Sequence, residues 1–387
     1  MSEQLLKPSN RAFYPALNGL RAFAILLVFC EHYLSASTPS YLEWGWAGVD
    51  IFFVLSGFLI TGILIDTIDA PHRFRNFYIR RTLRIFPLYY TVLLVIVLLT
   101  PVFHWKWSAF WLLWPTYLGN YGACLAGYLQ ADNYDVINYL VSQTRGFSLH
   151  VIHFWSLCVE EQFYFIWPFV IYKVRKIGVI RNICIVVIVA LPIIRIAARL
   201  YLPRVLIDLG ILSSATFFRF DSFLVGGLLV ILLRGEHAQR IRHLSSTICA
   251  GSILMLLAGW AFAVFVLHQG VSVGSNTPWM STVGHTLVDF VSAALLLLAL
   301  KPGSLVYRLF TLKPLDRLGM VSYGFYVYHD IPSEFYRYLA RHALGPHFTH
   351  IGVLVSPIAF ACTTALAFLS YRYLERPFLL MKKRYTR

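Results

Sequence analysis

Charged residues are scarce in this 387-residue chain: they make up 13% of the sequence, against about 25% in a soluble globular domain. Hydrophobic residues account for 58%, and the mean hydropathy is +0.65. This balance excludes an ordinary soluble protein. It predicts an all-α polytopic membrane protein, because a segment that crosses the bilayer must satisfy its own backbone hydrogen bonds as a helix.

The sequence also lacks the cysteine spacings that are typical of metal sites and disulfide frameworks. The six cysteines form no CxxC pair and no ladder of conserved-looking spacings, so we expect neither a metal site nor a disulfide framework. The net charge of +15 could indicate a nucleic-acid partner. However, no soluble basic segment is present to bind one, and we expect the charge to set membrane topology instead.

Ten apolar runs predict about ten transmembrane helices in a single domain over residues 1–387. The first run carries Arg21 and His32 and ends in "CEHYLSAS", so we expect a retained span rather than a cleaved signal peptide. We also expect no appended soluble domain, since the chain ends shortly after "YRYLERPF". The predicted spans lie near 17–35, 47–65, 86–103, 155–172, 182–202, 219–233, 245–267, 281–300, 318–338 and 351–371.

The short aromatic segment 107–122 is broken by Pro115 and is predicted to be re-entrant or interfacial. Counting it as a full crossing would move the basic stretches 173–181 and 234–242 to the wrong side of the membrane. With ten spans and both termini in the cytoplasm, 25 of the 33 lysines and arginines lie on the inner side and 8 on the outer side. This bias supports the predicted orientation.

The stretch "GLRAFAILLVFCEHY" (19–33) places Arg21 and His32 eleven residues apart in the first span. Eleven helical residues make about three turns and rise about 16 Å, so both side chains lie on one helix face. Arg21 alone could be a snorkelling arginine, and His32 alone could be a hydrogen-bonded packing residue. Ionisable groups inside a membrane are nevertheless candidates for function.

A dense arginine cluster, "FYIRRTLRIF", lies at the predicted cytoplasmic start of the third span. Arg81 and Arg84, at i and i+3, project from one face, and Arg80 lies beside them. Topology alone would explain positive charge here. A guanidinium also pairs with phosphate oxygens through two parallel hydrogen bonds, so the cluster together with Arg21 predicts a phosphate-binding mouth.

Two carboxylates, Glu160 and Glu161, fall inside the predicted fourth span, at "FWSLCVEEQFYFIWP". They could form a structural ion pair with an arginine. Alternatively, they orient His32 or hold the hydroxyls of a substrate. In the second span, "VDIFFVLSGFLIT", Ser56 and Gly57 would let a ligand approach the backbone closely, although Gly57 could equally serve helix packing.

Further polar residues cluster near the predicted outer ends of spans, and we expect them to bind an acceptor or to be structural. Arg219 and Asp221 are predicted to form an ion pair, and His329 is expected at the depth of His32. For Asp330, a helix-end role before Pro332 is an equal alternative. The full set is Asp50, Trp155, Ser156, Arg219, Asp221, Tyr323 and His329.

This arrangement suits a long cytosolic donor that binds through its phosphates and threads a reactive end inward. Acyl-CoA has this shape, with phosphates, a pantetheine arm and a terminal thioester. An imidazole is a suitable general base for the hydroxyl of an acceptor approaching from the other side. Arg21, Arg80, Arg81, Arg84, Ser56 and Gly57 are therefore the candidate acyl-CoA-binding residues, and His32, Glu160 and Glu161 the candidate catalytic residues.

The chain resembles the acyltransferase-3 family of bacterial integral membrane acyltransferases. The matching stretches occur in family order from residue 15 to about 378. They are "LNGLRAFAILLVFCEHY", "GVDIFFVLSGFLIT", "NFYIRRTLRIFPLYY", "FWSLCVEEQFYFIWP", "RFDSFLVGGLL", "LGMVSYGFYVYH" and "YRYLERPF". The positions matched to family motifs are the catalytic histidine (His32), the first-helix arginine (Arg21), the Arg-x-x-Arg pair (Arg81, Arg84) and the acids (Glu160, Glu161).

The resemblance implies a ten-span enzyme of the bacterial cytoplasmic membrane that transfers an acyl group, usually acetyl, from cytosolic acyl-CoA to a hydroxyl. No permanently bound cofactor is expected. The implied acceptor is a sugar of a surface polysaccharide or lipopolysaccharide, with a macrolide as the alternative. The lack of an appended domain disfavours peptidoglycan. Asn18 replaces an acidic residue found in many members, which removes a possible charge partner of Arg21.

Two alternatives stay open. The acyl group could pass through an acyl-histidine intermediate, since histidine can act as a nucleophile, although direct attack within a ternary complex is preferred. A transporter of an anionic or glycan substrate would also place ionisable residues inside the membrane. It would yield no acylated product, and no inverted repeat of the kind seen in many transporters is evident. The sequence does not predict the oligomeric state.

Overall fold

Helices dominate the computed structural model, which describes residues 15–34, 43–105, 107, 109–129, 139–141, 148–344 and 351–382. The helices are α1 (Pro15–Leu34), α2 (Ala47–Asp66), α3 (Arg73–Phe103), α4 (Gly122–Tyr128), α5 (Trp155–Val174), α6 (Ile177–Tyr201), α7 (Arg204–Asp208), α8 (Ile211–Ser214), α9 (Phe220–Leu232), α10 (Ala238–His243), α11 (Ser245–Phe265), α12 (His285–Ala299), α13 (Leu305–Phe310), α14 (Lys313–Met320), α15 (Ser322–Tyr328), α16 (Ser333–Leu344), α17 (Ile351–Ser370) and α18 (Arg376–Met381). One short antiparallel pair, β1 (Tyr139–Val141) and β2 (Ser148–His150), is the exception. The predicted all-α class is thus confirmed, apart from this one short strand pair in the described residues.

Seven helical segments in the described part of the chain are long and apolar enough to cross a membrane. They are Ala16–Leu34, Ala47–Asp66, Arg73–Phe103, Ile177–Tyr201, Ser245–Phe265, Met280–Ala299 and Ile351–Met381. The other three predicted spans correspond to α5, which carries two glutamates, to the 13-residue α9, and to a broken helical stretch. The count of ten crossings and the location of the termini stay predictions.

The segment 107–122 contains two short helical turns, Ala109–Leu113 and Gly119–Tyr121, in place of a long helix. It packs along α3, where the hydroxyls of Tyr89 and Tyr90 donate to the carbonyl oxygens of Trp114 and Pro115, each at 2.8 Å. The segment thus forms short turns held against a neighbouring long helix, and its re-entrant or interfacial placement stays a prediction.

The predicted span 318–338 is wrong as a continuous helix. Helix α14 ends at Met320, α15 ends at Tyr328, and α16 begins only at Ser333. Pro332 has no backbone N–H to donate, which explains the break. His329 and Asp330 lie in this break, and Asp330 is only 2% exposed. Irregular backbone at such a position is tolerated because surrounding helices bury it.

Helices α2 and α9 pack backbone to backbone. A Cβ atom added to Gly57 would lie 1.8 Å from the carbonyl oxygen of Phe223, and one added to Gly226 would lie 1.9 Å from that of Val54. The expectation that Gly57 lets acyl-CoA approach is therefore corrected, because α9 fills the space beside it. Small residues serve this close helix contact.

Candidate active site

A cavity of about 230 Å³ opens among α1, α2, α3, α5 and α15. Four basic side chains line it: Arg21, Arg81, Arg84 and Lys382. Three of them were predicted to bind phosphate, and the structure brings these three together. Lys382, from the end of the chain's last helix, was not predicted.

Arg21 is held by Asn18, the residue that stands where many family members carry an acid. Asn18 Oδ1 accepts a hydrogen bond from Arg21 Nη1 at 3.1 Å, and Asn18 Nδ2 donates to Asp316 Oδ1 at 2.9 Å. Asn18 thus retains the link between Arg21 and a carboxylate, with the amide inserted between them.

Arg81 is positioned by aromatic rings, with its guanidinium carbon 5.2 Å from the ring centre of Tyr164 and 5.8 Å from that of Phe77. Such stacking leaves the N–H groups of the guanidinium free to meet an anion. Arg80 lies next to it but lines a smaller neighbouring pocket with Lys382. The predicted role of Arg80 in binding acyl-CoA stays a prediction.

Glu160 and Glu161 line the same cavity as the arginines. Ser56 Oγ donates to Glu160 Oε1 at 2.6 Å, and Tyr164 donates to Ser56 Oγ at 2.9 Å. This corrects the expectation that one of these acids orients His32. The rotation of α5 about its axis turns both acids toward α2 and α3, and the carboxylate beside His32 is a different one.

Ser156 and Tyr326 also line the cavity, and their hydroxyls are hydrogen-bonded to each other. Tyr326 also donates to the carbonyl oxygen of His153 at 2.8 Å. Tyr323 lines the cavity and donates to Ile85 O at 2.8 Å. Trp155 packs edge-on against the ring of Phe53.

A histidine cluster lies directly behind Tyr326. His32 Nδ1 is 2.9 Å from Val28 O and 3.3 Å from His329 Nε2. His329 Nδ1 is 2.6 Å from Tyr326 O. A carbonyl only accepts hydrogen bonds, so His32 and His329 each carry a proton on Nδ1. When the His32 ring is neutral, Nε2 is therefore the nitrogen that holds the lone pair of a general base.

Asp330 lies at the centre of the cluster. Its Oδ2 is 3.9 Å from His32 Nε2, 3.8 Å from His150 Nδ1 and 3.7 Å from His153 Nδ1. Strand β2 brings His150 there, since His150 N donates to Ile331 O at 3.3 Å. His150 and His153 were not predicted, because neither lies in an apolar run. No group of three or more such side chains in the described residues has metal-ligand geometry.

A second buried polar group joins α2, α6, α9 and α12, and it corrects the predicted pairing of Arg219 with Asp221. Arg219 pairs with Asp50, whose Oδ2 is also 3.1 Å from His285 Nδ1. Asp221 instead pairs with Arg195, at 2.8 and 3.2 Å. These side chains are at most 3% exposed, and none of them lines the cavity described above. Their arrangement fits a structural role.

A basic cavity and a histidine cluster thus meet at Tyr326, which lines the cavity and contacts His153 and His329. Comparison with known proteins agrees with this chemistry. The acyltransferase domain family matches residues 14–372. No solved structure matches the chain significantly.

Curated relatives point the same way. The chain is 27% identical over 375 residues to the peptidoglycan O-acetyltransferase OatA of Listeria monocytogenes, and the aligned residues cover 95% of this chain and 56% of that protein. It is 25% identical over 383 residues to the O-acetyltransferase OatA of Staphylococcus aureus, which covers 97% and 58%. The chain thus spans just over half the length of these relatives. The family prediction and the predicted enzyme class are confirmed: the chain belongs to the family of membrane acyltransferases.

Proposed function

We propose that the protein transfers an acyl group, most simply acetyl, from cytosolic acyl-CoA to a hydroxyl of a carbohydrate acceptor at the opposite side of the membrane. One observation carries the proposal. Ser156 and Tyr326 line the same cavity as the arginines, and Tyr326 contacts His153 and His329 of the histidine cluster. A donor held at the mouth can therefore deliver its reactive end toward His32.

The donor end of the site fits the phosphates of coenzyme A. Arg21, Arg81 and Arg84 place three guanidinium groups along one cavity. Arg21 and His32 lie on the continuous helix α1, about 16 Å apart along its axis. An extended pantetheine arm has a comparable reach, which supports placing phosphates at the mouth and the thioester near Tyr326.

Transfer at His32 follows from its tautomer. His32 Nε2 removes the proton of the acceptor hydroxyl while the hydroxyl oxygen attacks the thioester carbon. The C–S bond breaks, an ester forms, and the CoA thiolate leaves and takes up a proton. The hydroxyls of Ser156 and Tyr326 now donate to the carbonyl oxygen of His153, and either would have to turn away from it to donate to the thioester oxygen as negative charge develops there.

The acceptor is inferred from the relatives. Both matched proteins are named O-acetyltransferases, one of them of peptidoglycan, which supports a glycan hydroxyl. Because one relative is named for peptidoglycan, peptidoglycan is again a candidate acceptor, beside surface polysaccharide and lipopolysaccharide. A macrolide acceptor and a transport function have no specific observation in their favour.

Mass spectrometry of cell-surface glycans from cells with and without the gene tests the proposal. An acetyl ester that depends on the gene is expected. Purified protein given labelled acetyl-CoA and the isolated glycan should form the same ester, and a transporter would form none. Glycans with identical acylation in both strains, together with no transfer by the purified protein, would contradict the proposal.

A further inference from the structure

The space between Asp330 and His153 is bordered by hydrogen-bond acceptors that have no donor. Asp330 Oδ2 and His153 Nδ1 are 3.7 Å apart, and both are buried without a hydrogen-bond partner. The side chains are 2% and 1% exposed. A buried polar atom without a partner is costly and is rarely left so in a native protein.

The protonation of His153 sharpens this observation. His153 Nε2 is 3.1 Å from Val327 O, so it carries the proton and donates to that carbonyl. Burial, in the turn before α5, lowers the pKa of His153 to about 4, and the ring is therefore neutral near pH 7. His153 Nδ1 then presents a lone pair to the Asp330 carboxylate, and a hydrogen-bond donor placed beside these two atoms would satisfy either of them.

The reacting position adjoins this gap. His32 Nε2, the nitrogen assigned to the general base, is 3.9 Å from Asp330 Oδ2. The His32 side chain is 28% exposed, so a ligand can reach it from outside the cluster. Two acceptor positions thus lie next to each other: His32 Nε2 at the rim, and the Asp330–His153 gap behind it.

We propose that the Asp330–His153 gap binds a second hydroxyl of the acceptor, so that the enzyme selects acceptors carrying a hydroxyl on the carbon next to the reacting one. The reacting hydroxyl donates to His32 Nε2, and its neighbour donates to Asp330 Oδ2 or His153 Nδ1. The inference rests on the proposed function and specifies its substrate as a vicinal diol, a group common in sugars. Without acceptor, a water molecule can fill the gap.

Two small acceptors that differ in one hydrogen-bond donor test the inference. Purified protein in nanodiscs receives labelled acetyl-CoA and either ethylene glycol or 2-methoxyethanol, in which a methyl group replaces the second hydroxyl proton. The acetate esters give kcat/KM for each acceptor. The value for ethylene glycol is divided by the value for 2-methoxyethanol, and the ratio is halved because the glycol has two equivalent hydroxyls. A ratio of about 10 or more is expected for the wild-type protein, since the ether leaves a buried acceptor unpaired.

Asp330→Asn should bring the ratio close to one, because the amide supplies its own donor to the gap. Asp66→Asn is the matched control: Asp66 pairs with Arg234 at an exposed position outside the site, and this variant should keep the wild-type ratio. If Asp330→Asn does not fold, His153→Phe removes the other acceptor atom and should also lower the ratio.

Equal rates with both acceptors in the wild-type protein would overturn the inference and leave only water in the gap. A variant that slows both acceptors by one common factor would also overturn it, since Asp330 would then merely position His32. So would a preparation that acetylates its glycan but forms no glycol ester. Failure to transfer acetyl to any acceptor would instead overturn the proposed function, and this inference with it.

Discussion

Replacing Arg81 or Arg84 with alanine should weaken the use of acetyl-CoA but not of acetyl-pantetheine. Acetyl-pantetheine keeps the thioester and the arm and lacks the phosphates. Both arginines line the cavity mouth, at a distance from the histidine cluster set by α1 and α3. If they bind phosphate, only the donor that carries phosphates depends on them.

The size of the effect follows from the contact that is lost. A hydrogen bond to a charged group is worth about 1.5–3 kcal/mol. Losing one such contact should therefore raise KM for acetyl-CoA about 10- to 150-fold, with a smaller change in kcat. Arg81→Lys keeps the charge but loses the planar fork, so its KM should fall between those of the wild-type and alanine proteins.

The assay measures CoA or pantetheine release with ester formation, over a range of donor concentrations. Arg75→Ala is the matched control, because Arg75 is exposed on α3 and does not line the cavity. It should leave both donors unchanged. Equal losses with acetyl-CoA and acetyl-pantetheine would refute phosphate binding by Arg81 and Arg84, and would indicate a structural role.

Three other substitutions test parts of the structure. Gly57→Ala should destabilise the protein by about 1–3 kcal/mol or more, seen as a lower Tm, because the added methyl group collides with the α9 backbone. Gly62→Ala is the control and should be tolerated, since the nearest atom to its added methyl group lies 3.3 Å away. Equal Tm values for the two variants would contradict the close packing of α2 on α9. Asp221→Asn should lower the free energy of unfolding by about 3–5 kcal/mol, because it leaves a buried arginine unpaired. Asp66→Asn, at an exposed ion pair, should lower it by about 1 kcal/mol or less. Similar losses of stability in thermal unfolding would refute this difference. Tyr326→Phe should lower kcat about 10-fold or more with little change in KM, since it removes a hydroxyl that lies between the cavity and the histidines. An unchanged kcat would show that this hydroxyl takes no part in acyl transfer.

Contacts within one helix could be predicted from the sequence. Helical periodicity places Arg21 and His32 on one face of α1, and the structure keeps both on that continuous helix. The i, i+3 spacing likewise predicted that Arg81 and Arg84 act together, and both line the cavity. Local geometry is sufficient for such pairs, because α-helix dimensions are nearly constant.

Contacts between helices could not be predicted in the same way. His329 meets His32 across 297 positions of the chain, and Asp330 reaches the cluster only because the helix breaks before Ser333. The rotation of α5, which turns Glu160 toward the arginines, depends on how three helices pack. A single sequence contains no direct signal for that rotation or for the break.

The most direct test of the account is transfer across a sealed membrane. Proteoliposomes with acetyl-CoA sealed at the arginine-lined side and the glycan acceptor outside should form acetylated glycan. His32→Ala should form none while still folding and binding CoA. Acetylated glycan at the wild-type rate in the His32→Ala protein would contradict the account.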